Sequence, residues 1–464
     1  MKSIVSVLLL CLSAVPMFAG NRPVMKKEKS VPNQYVVMFD PQFAGAKSRA
    51  AANDLARLHG GSVRVVWDDS RPGMTVTLPS HAVAEVLARD PRVESVEEDG
   101  IYELAAGQTN APWSLDRVDQ VYLPLDGTYN YCTDAYRANA YIVDTGVRRT
   151  HQEFWSAPGD PTSRVAPGYQ VPDMTGAAGT ADNPCPNPAT DCPEATCANA
   201  GHGTAVASVV GGRTYGVAKG VTIIPVRVAN CSGTSTDSRI ISGLKWIRAD
   251  FATRPYASVV NMSLSKYAGV FSETDPIYTH TGIEKEIIEL TKARVTVVVA
   301  AGNHNSDSRM YTPARMAFGN SGPGGKNLSE GRVISAGGST RADNRWICGQ
   351  QSGDTCISGA PGSNYGAAVD VFAPAAQIPS ASILSDTAVR TVATSGTSFS
   401  AALVTGRIAR ALDGSVPGGY DPYYIFSKIS TEASVVMNSP STAPLNGSPN
   451  RLLFVPKMVS RYCN

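Results

Sequence analysis

The sequence is poor in charge and in aromatic side chains: Asp, Glu, Lys and Arg make up 17% of its 464 residues, and Phe, Trp and Tyr 7%. With a net charge of +2 it lacks the basic surplus that nucleic-acid binding requires. The one short basic run, Lys26-Lys27-Glu28-Lys29, reads as a solvated linker. Beyond the first twenty residues no stretch is apolar for long enough to cross a bilayer, which argues against a membrane protein. Histidine is scarce, at 6, so candidates for a general base are few. Cysteine is missing between Cys11 and Cys132, and no C-x-x-C pair occurs. That last absence weighs against zinc as the reading of Cys185, Cys192 and Cys197, although zinc stays the competing one.

What is present describes a globular chain: 43% of the residues are hydrophobic, and the length suits two or three domains. Lys2, the apolar run Ile4 to Val15 and the small residues Ala19 and Gly20 read as a secretion signal over residues 1–19. Cys11 leaves with that signal. Eight cysteines remain, Cys132, Cys185, Cys192, Cys197, Cys231, Cys348, Cys356 and Cys463, an even set that points to disulfides in an oxidising compartment.

Residues 34–104 carry the pattern strand (Gln34 to Asp40), helix (Ala46 to Leu58), strand (Ser62 to Asp68), strand (Met74 to Leu78), helix (His81 to Ala88), strand (Val93 to Glu98). This βαββαβ order predicts a small α+β, ferredoxin-like module. A run of small and polar residues from Leu104 to Ala111 marks its end. From residue 105 onward, buried-strand patterns alternate with helical ones at Ala140–Asp144, Val221–Val228, Ser258–Met262, Val295–Ala300 and Val333–Gly337. Such alternation predicts a three-layer α/β domain with a parallel sheet covered on both faces, running to Asn464. Pro158 to Ala198 and Asn320 to Gly331 read as surface insertions.

Three segments carry chemistry. Thr394-Ser395-Gly396-Thr397-Ser398 ends a small-residue turn where a helical run, Ser400 to Leu412, begins, and helix N-termini favour developing negative charge. Ile142-Val143-Asp144-Thr145-Gly146 is a buried strand that breaks at an acid, where open α/β sheets place catalytic groups. Gly201-His202-Gly203-Thr204 opens a small-residue helix with a glycine-flanked imidazole. A hydroxyl such as that of Ser398 becomes nucleophilic when a base, here His202, takes its proton. Asp144 then holds the imidazole in one tautomer and stabilises its charged form. The chain order Asp, His, Ser is one of three known orders for such a triad.

Together the D-T-G, H-G-T and G-T-S segments, His151-Gln152-Glu153-Phe154, and Val298-Val299-Ala300-Ala301-Gly302-Asn303 resemble the subtilase family of serine peptidases, in its proteinase K and aqualysin-like branch. The resemblance implies a subtilisin-like fold, a secreted serine endopeptidase acting on polypeptides as a monomer, and catalytic roles for Asp144, His202, Ser398 and Asn303, the last an oxyanion donor. It makes the 34–104 module an inhibitor-type propeptide removed by self-cleavage after Leu104, in a run similar to the family's mature N-terminus. Ser263, Leu264, Ser265 and Ala300, Ala301, Gly302 become the walls of the pocket before the scissile bond, with Gly233 on the other edge. No charged residue belongs at its floor, so cleavage after apolar or aromatic residues is expected. A narrow-specificity processing peptidase and a silent binding protein of the same fold are the other readings.

Structural calcium is implied at Asp116, Asp119, Gln120 and Asp126, and a second ion at Asp370. The same branch pairs cysteines as Cys197–Cys231. Short loops then pair Cys348 with Cys356 and Cys185 with Cys192, which leaves Cys132 with Cys463. Three positions depart from the family pattern: Ser265 stands where many members have glycine, Phe399 for methionine, and Ala402 for proline.

Overall fold

The computed structural model describes residues 23–27, 30–100, 106–174, 179–185, 201–269, 280–318, 333–350, 354, 360–390, 394–433, 437–438 and 441–456. The expected signal at 1–19 and the insertion Asn320 to Gly331 lie outside them. Between Leu104 and Ala105 the chain divides into two compact units.

In the first unit four antiparallel strands stand in the order Ser62–Trp67, Gly73–Thr77, Ser30–Phe39, Val93–Gly100. The helices Ala46–Leu58 and His81–Leu87 complete the βαββαβ order. Period-two alternation in the first strand sends Tyr35, Val37 and Phe39 inward, where Ala52 and Leu55 of one helix and Ala84 and Leu87 of the other meet them. The first strand starts at Ser30 and the last ends at Gly100, both past the expected limits, because edge residues without apolar side chains still pair through their backbones.

The second unit is built on a seven-stranded parallel sheet. Its order is Tyr169–Gln170, Thr222–Arg227, Asn139–Asp144, Ser258–Met262, Thr296–Ala300, Val333–Ser339, Val371–Pro374. The central strands are apolar on both faces, as strands buried under helices must be. Ala140 and Ile142 enter one core while Tyr141 and Val143 enter the other, and Val297 and Val299 alternate with Val298 and Ala300 in the same way. The helices His202–Gly211 and Thr397–Leu412 cover the first face. Asp237–Asp250 and Gly282–Lys292 cover the second. The three-layer arrangement is the one expected.

Both edge strands escape the sequence pattern. Tyr169–Gln170 is two residues long and sits in the stretch read as a surface insertion. Val371–Pro374 is short and ends at a proline, which an edge position tolerates. The helix bearing Ser398 starts at Thr397, earlier than its apolar pattern, and is buried along its whole length save Ala411.

The disulfide pairing needs correction. Cys231 is joined to Cys185, not to Cys197, and Cys185 is therefore not paired with Cys192. Backbone hydrogen bonds explain the choice: Val147 N–H donates to Ala181 O (2.9 Å) and Arg149 N–H to Asp182 O (2.9 Å). They fasten the chain just before Cys185 to the loop that follows Asp144, while Val228 N–H on the other side donates to Asp144 O (3.0 Å) and brings the Cys231 turn to the same place. Cys132 and Cys348 are also disulfide-bonded. Cys192, Cys197, Cys356 and Cys463 lie outside the described residues. A non-reduced peptide map should contain a fragment linking Cys185 to Cys231; a fragment linking Cys231 to Cys197 would restore the other pairing.

Candidate active site

Three sheet elements and two helices deliver their polar groups to one end of the parallel sheet. Asp144 is the last residue of its strand and is 5% exposed. His202 is the first residue of its helix. Its Nδ1 lies 2.9 Å from Asp144 Oδ1 and 2.8 Å from Oδ2. A carboxylate can only accept, so Nδ1 carries the proton, and in the neutral ring Nε2 is left as a free acceptor. That is the tautomer a general base needs.

The approach of helix to strand depends on Gly203. A Cβ there would stand 2.4 Å from Gly146 O and 3.0 Å from Asp144 Cβ. Its N–H also donates to Thr145 Oγ1 (3.0 Å), and Thr145 N–H donates to Asp144 Oδ1 (2.7 Å). Acid, hydroxyl and helix start are thus locked in sequence.

Ser398 is the second residue of its helix, so its backbone N–H is one of the four that lack an intrahelical acceptor. The ring of the next residue, Phe399, is buried with its centroid 6.4 Å from that of His202, which sets the nucleophile turn beside the imidazole. Ser398 Oγ lies 3.5 Å from Ser263 O. Ser263 Oγ donates to the Ser398 carbonyl (3.0 Å) and accepts from Asn261 Nδ2 (2.9 Å), and Thr405 Oγ1 donates to Asn261 Oδ1 (3.0 Å). This buried chain of side chains pins the nucleophile helix to the strand Ser258–Met262. Ser263, expected as a pocket wall, therefore spends its side chain beneath the nucleophile.

Asn303 follows the strand Thr296–Ala300. Its Oδ1 accepts both the backbone N–H of Thr397 (2.9 Å) and the Thr397 hydroxyl (2.8 Å). A backbone N–H can only donate, so the amide cannot be turned over, and Nδ2 is the group left to face Ser398 and its turn. Nδ2 indeed lies 3.4 Å from where a Cβ on Gly396 would be.

The pairing between the strands that lead to Ser263–Ser265 and to Ala301–Gly302 ends at Met262 and Val299. Ser265 Oγ would be 3.6 Å from a Cβ on Gly302, so these two residues face each other. Leu264 is half-buried against the second core, and Ala300 and Ala301 are buried. Gly233 sits in a turn where Asn230 N–H donates to Thr234 O (3.0 Å), at a φ of 82° that suits glycine. His151, in the run that follows Asp144, is buried: its Nδ1 accepts from Glu153 N–H (3.2 Å), its Nε2 donates to Ala388 O (2.9 Å), and burial pushes its pKa down.

The expected calcium donors are less clearly assembled. Asp116 accepts Asp126 N–H (3.2 Å) and Gly127 N–H (2.8 Å), and Asp119 Oδ2 accepts Asn130 N–H (2.6 Å). Burial, with smaller contributions from the Asp116 and Asp126 charges, pushes the Asp119 carboxyl up to about 6. Gln120 spends its amide N–H groups on Tyr122 O (3.0 Å) and Pro124 O (2.8 Å). Asp370 is buried, with Oδ2 accepting Ser335 N–H (2.9 Å). Among the described residues no three His, Cys, Asp or Glu side chains are gathered closely enough to hold a metal ion by themselves. Any ion here must take carbonyl or water oxygens as well, which calcium accepts.

Fold and site together define a serine hydrolase of the Asp-His-Ser order on a parallel α/β sheet. Residues 141–447 match the model of the subtilase family, and the chain belongs to that family. An extracellular serine proteinase of Thermus sp. (strain Rt41A) is 36% identical over 93% of this chain and 92% of its own length. Proteinase R of Parengyodontium album is 30% identical over 82% of this chain and 79% of its own. The solved structure of a cold adapted subtilisin-like serine proteinase superposes with a TM-score of 0.55 at 32% identity, covering 75% of this chain and 99% of that one. The chain is accordingly an extracellular serine endopeptidase.

Gly203 offers a direct check of the geometry. Gly203→Ala should lower turnover by about 10²-fold by displacing the imidazole, with a stability loss of about 1–3 kcal/mol. Steady-state kinetics and thermal melts test this, and unchanged turnover would show that the contact with Gly146 is not needed.

Proposed function

We propose that Ser398 attacks the scissile carbonyl while His202 Nε2 takes its proton, forming a bond from Oγ to carbon as the carbonyl π electrons move to oxygen. The tetrahedral oxyanion is met by Asn303 Nδ2 and the backbone N–H of Ser398. The imidazolium, held by Asp144, returns the proton to the amine as the C–N bond breaks, and water then repeats the steps on the acyl-enzyme. The observation that carries this reading is the pairing of the Asp144 carboxylate with His202 Nδ1 at the sheet end where the Ser398 helix begins. A fluorophosphonate should label the wild-type protein and leave Ser398→Ala unlabelled; labelling of both would assign the nucleophile elsewhere.

The peptide would lie as an added strand along the segments ending in Ser265 and Gly302 and against the Gly233 turn. Neither Ser263–Ser265 nor Ala300–Gly302 contains a charged side chain, which favours apolar or aromatic residues before the cut bond. Ser265 narrows that pocket relative to a glycine.

The 34–104 module serves, on this reading, as an inhibitory propeptide that the enzyme removes from itself near Leu104, where the chain's two compact units meet in sequence. N-terminal sequencing of secreted wild-type and Ser398→Ala proteins separates the cases. The wild type should begin near Ala105 and the variant upstream of it; identical mature ends would rule out self-processing.

Calcium is assigned a structural role at the Asp116–Asp126 loop and at Asp370. Asp116 and Asp119 would bind it with carbonyl and water oxygens. Excess EDTA should lower the melting temperature markedly, and calcium should restore it; an unchanged melt would remove the ion from this account.

A further inference from the structure

Asn364 lies in a glycine-flanked loop, Gly362 to Gly366, and carries no motif that chemistry would recognise. It is fully buried, at 0% exposure. Its polar groups go to the segment around Asn303. Nδ2 donates to Ala301 O (2.9 Å), and Oδ1 accepts from His304 N–H (2.9 Å) and Ser306 N–H (3.2 Å). Its own backbone N–H donates to Gly302 O (2.8 Å). Four bonds thus reach residues on either side of Asn303, while the Asn303 side chain is held by Thr397 instead.

The turn is wrapped around this side chain. Gly302 has a φ of 104°, and a Cβ there would be 2.4 Å from Asn364 Nδ2, so no other residue lets the backbone come so close. The Asn364 loop runs alongside as well: Gly362 N–H donates to Asn303 O (3.2 Å), Asn305 N–H to Gly362 O (2.8 Å) and Tyr365 N–H to Ser306 O (3.0 Å).

We infer that Asn364 is a positioning residue for catalysis, acting through Asn303: Thr397 sets the rotation of the Asn303 amide, and Asn364 sets where the backbone that carries it stands. This rests on the oxyanion role proposed for Asn303. A carboxamide is required at position 364 because the segment offers one carbonyl and two N–H groups to the same side chain, and only a group with both donor and acceptor satisfies them. Oxyanion donors act over a few tenths of an ångström, so loosening the backbone should weaken binding of the transition state far more than binding of the substrate.

A double-mutant cycle on full-length protein tests this, with active Ser398 counted by fluorophosphonate and one peptide anilide as substrate. Asn303→Ala should lower kcat by about 10²–10³-fold. Asn364→Ala should lower kcat by about 10–10²-fold with KM within about threefold of wild type. In the Asn303→Ala background the same change should cost less than about threefold, because the group it positions is gone. An equal loss in both backgrounds, a rise in KM matching the fall in kcat, or an unchanged kcat would each overturn the inference. Should Asn364→Ala not fold, Asn364→Asp, equal in size and keeping the oxygen that accepts from His304 and Ser306 N–H but losing the donor to Ala301, runs the same cycle. If Asn303→Ala retains full kcat, the oxyanion reading itself fails, a result distinct from any outcome at position 364.

Discussion

The contact between the Asp144 carboxylate and His202 Nδ1 is the constraint from which the catalytic end of the molecule is built. Its partners lie 58 residues apart in sequence. Asp144 can reach the imidazole because it ends a strand at the middle of the sheet, and His202 can reach the acid because Gly203 lets its helix touch the Gly146 turn. The insertion between them contributes to the same arrangement: its two-residue strand extends the sheet edge, and its Cys185 is tied to the Cys231 turn beside Gly233.

A second layer of polar contacts holds Ser398 and Asn303 in register with that pair. Thr405, Asn261 and Ser263 form a buried relay that starts inside the Ser398 helix and returns to the Ser398 carbonyl. Thr397 spans from the same helix to Asn303 and, through its hydroxyl, accepts from Gly302 N–H (3.2 Å). These are polar side chains in an apolar interior, each with a partner, which makes the geometry specific as well as stable.

Much of this was legible in the sequence where a residue type is tied to a task. Asp144, His202 and Ser398 are recognisable because an acid at a strand end, an imidazole between glycines and a serine at a helix start, each ordinary alone, stand together in a diagnostic order. The central strands were legible from continuous apolar runs, and the first unit from period-two and helical patterns. The supporting groups were not. Asn261 interrupts an apolar strand, a visible anomaly whose partner Thr405 is far along the chain. Asn364 looks like any loop asparagine until the fold wraps the oxyanion turn around it. The Cys185–Cys231 link was misread because neither the Cys197–Cys231 pairing implied by the family resemblance nor loop length says which backbone hydrogen bonds anchor this insertion.

The position of the strand Asn139–Asp144 has a kinetic consequence. It is the earliest strand of the main sheet, yet it lies between Thr222–Arg227 and Ser258–Met262, both made much later. The buried helix Thr397–Leu412 comes later still and packs on the same sheet. Closing the core around this strand therefore pays a large loop entropy, which slows folding. The reverse holds once it has closed. With the core sealed from both ends of the sequence, opening any part of it requires opening most of it, and survival outside the cell becomes a matter of how slowly the molecule unfolds.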